Sequence, residues 1–166
     1  MNLEKAIEFM KQKHGNQKRK QGTPYYTHPL AVAELLKQKG FSEEYQLAGL
    51  FHDLLEYTDA TRDEIISLSN EKVFEAVDLV TKYPGYKMSE YIANIKSNEI
   101  ARAVKIADRI HNLSESSKAD SKFQAKYIRE TKQWYVGLAR GTVFEEDLNR
   151  ELLNLINMYE KSDLER

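Results

Sequence analysis

The chain has 166 residues, a formal net charge of −1 and no cysteine. That length suits one domain with a sizeable core. The near-zero charge argues against bulk electrostatic binding to nucleic acid or an anionic membrane. The missing cysteines exclude disulfides, thiolate zinc sites and cysteine nucleophiles.

The first ten residues are amphipathic and carry Glu4 and Glu8, so they do not read as a signal peptide. No apolar run approaches the ~20 residues needed to span a bilayer. A soluble, cytoplasmic protein is the expectation. The three prolines and seven glycines fall between helical patterns, and no alternating stretch marks a strand. The fold class is therefore all-α, a single helical bundle over 1–166 of about eight or nine helices.

A first helix is expected over Leu3–Lys13, followed by a glycine- and proline-punctuated loop from His14 to Pro29. Lys18-Arg19-Lys20 in that loop is the densest basic spot. A charge run alone usually means a solvated loop, but this one leads straight into His28, beside a first-turn proline. A second helix runs from Pro29 to Lys39 and stops at Gly40.

Ser42 is placed to cap a central helix, Glu43 to Tyr57. Its stripe of Leu47, Leu50, Phe51, Leu54 and Leu55 reads as buried. Yet His52, Asp53 and Glu56 put three ionisable groups into five of its residues. Unpaired burial of such groups is too costly, so they must be paired or bound to something. A divalent ion takes imidazole nitrogen and carboxylate oxygen together.

Thr61 with Glu64 forms a capping-box pattern for a short helix to Ser67. Ser69 starts another over 70–82, and Tyr83-Pro84-Gly85-Tyr86 breaks it. A helix over Met88–Ser97 follows. Ile100, Ala103, Val104, Ala107, Ile110 and Leu113 then describe a clear apolar stripe, with Asp108 beside it and Asn112 one turn on. Asp108 has three readings: a cap, half of an ion pair with Arg102 or Arg109, or a metal ligand from a second helix. The last helices are expected over Ser121–Ala139 and Val143–Ser162, separated by Gly141, with Thr142 able to cap the second. Their aromatic and aliphatic residues, including Trp134 and Tyr135, read as core.

His28, His52, Asp53 and Asp108 form the ordered set His…His-Asp…Asp. Two imidazoles and two carboxylates suit Mn²⁺, Fe²⁺ or Zn²⁺, and are too nitrogen-rich for Ca²⁺ or Mg²⁺ by preference. A closed structural zinc site is the rival, but such sites usually use thiolates.

This order resembles the HD superfamily of metal-dependent phosphohydrolases. Several stretches resemble the hydrolase domain of RelA/SpoT proteins more closely: 14–20, 22–29, 48–59, 80–82, 104–113 and 129–135, within a span of about 3–140. The resemblance implies an HD domain with a C-terminal helix over about 143–162. It implies hydrolysis of the 3′-pyrophosphate of (p)ppGpp with Mn²⁺, in the stringent response. By position, it implies that His28, His52, Asp53 and Asp108 hold the metal. Arg19 would stack on guanine with Lys20 beside it, and Asn112 and Tyr135 would contact the nucleotide. Glu56 matches the first half of a Glu-Asp pair that activates water. Tyr57 stands where the family has Asp, and a tyrosine with a pKa near 10 cannot serve as a base at neutral pH. Two alternatives follow: a phosphatase or pyrophosphohydrolase acting on another purine nucleotide, and a weakened descendant that only binds nucleotide.

Overall fold

The structure, a computed structural model, describes residues 2–165. Among these residues there is no strand; Lys18 and Pro24 make an isolated antiparallel bridge. The chain divides into two compact units, Met1–Lys105 and Ile106–Arg166.

The first unit opens with α1 (Leu3–His14), whose N-cap is Asn2; the Asn2 side-chain oxygen accepts from Lys5 N–H. In the loop after α1, Arg19 N–H donates to the Thr23 carbonyl and Tyr25 N–H to the Gln17 carbonyl, each at 2.9 Å. Gly22, at φ +94°, makes the reversal between them. This narrow loop delivers the chain to α2 (Thr27–Gln38).

Next comes α3 (Glu43–Phe51). Leu36 of α2 and Leu47, Leu50 and Phe51 of α3 are buried, each contributing about 1.5–3 kcal/mol. The two helices pack closely at Gly49. A Cβ added there would meet Leu36 Cδ1 at 2.9 Å, Val32 Cγ1 at 3.3 Å and the Ala33 Cα at 3.4 Å. Only the absence of a side chain lets the two backbones approach so far.

The expected continuous helix over 43–57 is broken. It stops at Phe51, and α4 (Leu54–Tyr57) starts after Asp53, whose φ −102° and ψ −1° lie in the bridge region. Ser42 makes no side-chain capping bond. Then come α5 (Arg62–Ser67), with the expected reciprocal Thr61–Glu64 capping box, and α6 (Glu71–Val80). The cap of α6 is Asn70, which accepts from Val73 N–H; Ser69, expected in that role, instead donates its hydroxyl to the Ile65 carbonyl. After the break at 83–86 come α7 (Met88–Lys96) and α8 (Glu99–Glu115), which ends in the second unit.

The second unit continues through a 3₁₀ turn (Ser116–Lys118) to α9 (Ser121–Glu130). A regular helix to Ala139 was expected. Thr131–Tyr135 instead form a π turn, in which Val136 N–H reaches back five residues to the Thr131 carbonyl, before α10 (Val136–Ala139). The last helix, α11 (Glu145–Leu164), starts at Glu145, with Phe144 and not Thr142 as its N-cap. Leu148, Leu152 and Leu155 are its buried face.

Candidate metal centre

The break between α3 and α4 places His52 and Asp53. His52 is 2% exposed, and its Nδ1 lies 2.6 Å from the Gly49 carbonyl oxygen. A carbonyl only accepts, so Nδ1 carries the proton and Nε2 keeps its lone pair. That nitrogen faces His28 Nε2 at 3.2 Å and Asp53 Oδ2 at 3.2 Å. His28, on the first turn of α2 and also buried, has its Nε2 3.7 Å from the same oxygen.

Two buried imidazole nitrogens and a carboxylate oxygen therefore form a triangle with edges of 3.2, 3.2 and 3.7 Å. A proton on His28 Nε2, or a positive ion in its place, can hold these acceptor atoms together. Such edges are those of donors lying about 2.0–2.2 Å from one shared ion. The residues thus fit a divalent metal held by mixed nitrogen and oxygen ligands.

Asp108 is buried on α8, where its Oδ1 accepts from Asn112 Nδ2 at 3.0 Å.

Around the triangle, Tyr25 donates its hydroxyl to Asp53 Oδ2 at 2.7 Å. Its ring stacks on His14, with centroids 4.8 Å apart, and the Arg19 guanidinium carbon is 5.7 Å from the ring centre. Lys20 is exposed beside Arg19. Glu56 accepts from the Lys82 N–H at 2.7 Å. Tyr57 is half exposed. Partial desolvation, then its hydrogen bond to Glu56 and the negative charge of Glu56 and Asp53, push its hydroxyl above the ordinary range. It is a hydrogen-bond donor, not a base.

Tyr135 is fully buried, with the Arg109 guanidinium carbon 3.9 Å from its ring centre. Sequence reasoning had not singled out Tyr25 or Gly49 as functional. Gly49 supplies both the close α2–α3 packing and the carbonyl that fixes the His52 tautomer. No composition signal marks Tyr25; a tyrosine one turn before a candidate ligand histidine was the available hint.

The family model for the HD domain matches residues 6–142. The chain is 38% identical over 145 residues to the guanosine-3′,5′-bis(diphosphate) 3′-pyrophosphohydrolase of Aquifex aeolicus, covering 82% of this chain and 21% of that protein. It is 31% identical over 172 residues to the GTP pyrophosphokinase rsh of Brucella abortus, covering 97% and 23%. The chain thus spans about a fifth of the length of these curated relatives. Among solved structures it is similar to a metazoan ortholog of SpoT described as hydrolysing ppGpp. The TM-score is 0.78 at 25% identity, over 92% of this chain and 94% of that one. No helix among the described residues is long and apolar enough to cross a membrane. With its match running over most of its length, the chain belongs to the HD domain family.

Proposed function

We propose that this chain is a metal-dependent phosphohydrolase that removes the 3′-pyrophosphate of (p)ppGpp, acting as a single HD domain in the cytoplasm. The observation that carries the reading is the triangle of His28, His52 and Asp53. The names of the relatives from Aquifex and of the metazoan structure support the substrate. The family match runs across the 105/106 boundary, which supports reading both units as one domain.

His28, His52, Asp53 and Asp108 would hold the ion, with Mn²⁺ favoured over Fe²⁺ and Zn²⁺. When bound, such an ion polarises phosphate oxygens and makes water more acidic. Glu56 is the carboxylate that takes the proton from the attacking water. Tyr57, protonated, donates a hydrogen bond to phosphate or water. Arg19 stacks its planar guanidinium on the guanine, and Lys20 meets phosphate as a point charge. Asn112 orients Asp108 and faces the nucleotide. Tyr135, fully buried, supports α8 through Arg109 rather than touching substrate.

The test is to incubate purified protein with ppGpp and Mn²⁺ and to follow products by anion-exchange chromatography. Release of pyrophosphate and GDP is expected, and its loss in His52→Ala. No turnover with any of Mn²⁺, Fe²⁺ or Zn²⁺ overturns the reading. Tyr57 favours a second reading, hydrolysis of another purine nucleotide carrying a 2′- or 3′-phosphate, because it removes the second carboxylate. Faster turnover of such a nucleotide than of ppGpp would select it.

A further inference from the structure

Tyr25 meets several residues of the site. Its hydroxyl donates at 2.7 Å to Asp53 Oδ2, the same oxygen that lies 3.2 Å from His52 Nε2 and 3.7 Å from His28 Nε2. A carboxylate on a mobile side chain has two equivalent oxygens and a free χ2. A single directed hydrogen bond breaks that equivalence and aims one oxygen at the imidazoles. Outer partners of this kind orient metal ligands and tune their affinity.

The ring of Tyr25 does separate work. One neighbour is His14, stacked at an interplanar angle of 27°; another is the Arg19 guanidinium, 5.7 Å from the ring centre; a third is Tyr57, tilted at 52° with centroids 5.7 Å apart. The backbone holds the residue firmly. Tyr25 N–H donates to the Gln17 carbonyl, and the Tyr25 carbonyl accepts from His28 N–H, so the turn that carries Tyr25 also starts the helix of a ligand histidine.

We propose that Tyr25 is a positioning residue with two separable functions. Its hydroxyl sets metal affinity through Asp53, and its ring sets the nucleotide-facing position of Arg19. The inference rests on the metal-site reading above. Tyr25 is half-buried, so loss of one hydroxyl leaves the fold intact.

The test uses the whole chain in three forms: wild type, Tyr25→Phe and Tyr25→Leu. Mn²⁺ affinity is measured directly by titration calorimetry, with no nucleotide present. Tyr25→Phe should bind Mn²⁺ about 10- to 100-fold more weakly. At saturating Mn²⁺ its KM for ppGpp should match wild type. Tyr25→Leu should show the same metal defect and, in addition, a raised KM, because Arg19 has lost its platform. Circular dichroism and Tm without metal check the fold of each. Equal Mn²⁺ affinity in wild type and Tyr25→Phe overturns the proposal. A wild-type chain that binds no divalent metal overturns the metal-site reading instead, so the two failures are told apart.

Discussion

Two regions of this molecule bury ionisable groups, and they make them tolerable in opposite ways. In the first unit, His28, His52 and Asp53 turn their donor atoms toward one another, with separations of 3.2–3.7 Å. In the second, Arg109 is 3% exposed and packs against two rings, its guanidinium carbon 3.9 Å from the centres of both Tyr127 and Tyr135. Thr131 Oγ1 at 3.5 Å and Glu130 at 4.0 Å complete its surroundings. Burial works against the Arg109 charge, but Tyr127, Tyr135 and Asp108 outweigh it and its pKa is raised. One cluster sets a cation against aromatic faces; the other turns nitrogen and oxygen ligand atoms toward a common point. Burial of charge alone does not mark a site, then. What marks the first cluster is ligand-type nitrogen and oxygen atoms converging on one point.

The largest effect should come from His52→Ala. Loss of one ligand removes several kcal/mol of charge stabilisation, so kcat/KM should fall by about 10³-fold or more. The variant should also lose the rise in Tm that Mn²⁺ gives the wild type. If Mn²⁺ still raises Tm by the same amount, the triangle is a structural cluster and the contrast with the Arg109 clamp disappears.

Arg109→Lys probes the other side. A lysine keeps the charge but cannot stack flat on two rings. A desolvated cation–π contact is worth about 2 kcal/mol or more, and a lysine keeps part of the two, so a total loss of about 2 kcal/mol is expected. For a chain of this length that is a Tm drop of about 4–8 °C. The drop should be the same with EDTA as with Mn²⁺, because the clamp needs no ion. A drop that depends on metal would mean that the clamp belongs to the metal site.

The sequence carried much of this and hid a definable part. Helical periodicity and capping residues made the all-α class, the Thr61–Glu64 box and the apolar stripe of α8 legible. The order His28, His52-Asp53, Asp108 offered a candidate ligand set, because ionisable groups on apolar stripes stand out against their surroundings. The break after Phe51 was invisible, since Leu54 and Leu55 keep the same apolar spacing on both sides of it. The hydrogen bond from His52 Nδ1 to the Gly49 carbonyl occurs where that turn leaves the helix, and a side-chain bond of this kind has no sequence signature. The π turn was hidden for a related reason. Eight residues of regular helix would leave Tyr127 and Tyr135 about 80° apart, and one extra residue in the turn brings them within about 20°. Tertiary packing on Arg109 decides between the two, and periodicity does not see it.

Tyr57→Asp sharpens the comparison within the first region. Tyr57 is a protonated donor beside Glu56, so an aspartate would restore a second carboxylate near the water. About a tenfold rise in kcat on ppGpp is expected, worth about 1.4 kcal/mol of barrier. An unchanged or lower rate would show that the pocket has moved to another nucleotide.

The smallest effect concerns His14, which sits at the edge of the first region and holds no partner for one nitrogen. Its Nδ1 faces Gln17 Oε1 at 2.9 Å, and Nε2 is buried without a hydrogen bond. Burial lowers its pKa below the ordinary value, which outweighs the opposing hydrogen bond to Gln17. The folded chain therefore takes up this proton later than the unfolded chain as pH falls. The neutral ring contributes its full share of stability above about pH 6.5, where both states are deprotonated. That share is lost progressively from pH 6.5 down to the folded pKa, and the loss stops growing below it. Urea unfolding between pH 7.5 and 5, in EDTA so that metal release does not contribute, should show this decline. Other groups titrate in the same samples, so the comparison is with His14→Gln, which removes only this proton. Its stability should fall less steeply below pH 6.5 than that of wild type. Parallel curves would mean that His14 takes up its proton as readily in the folded chain as in the unfolded one, and that below pH 6.5 the stacked His14–Tyr25 pair is a cation on an aromatic face, closer in kind to the Arg109 clamp than to the triangle beside it.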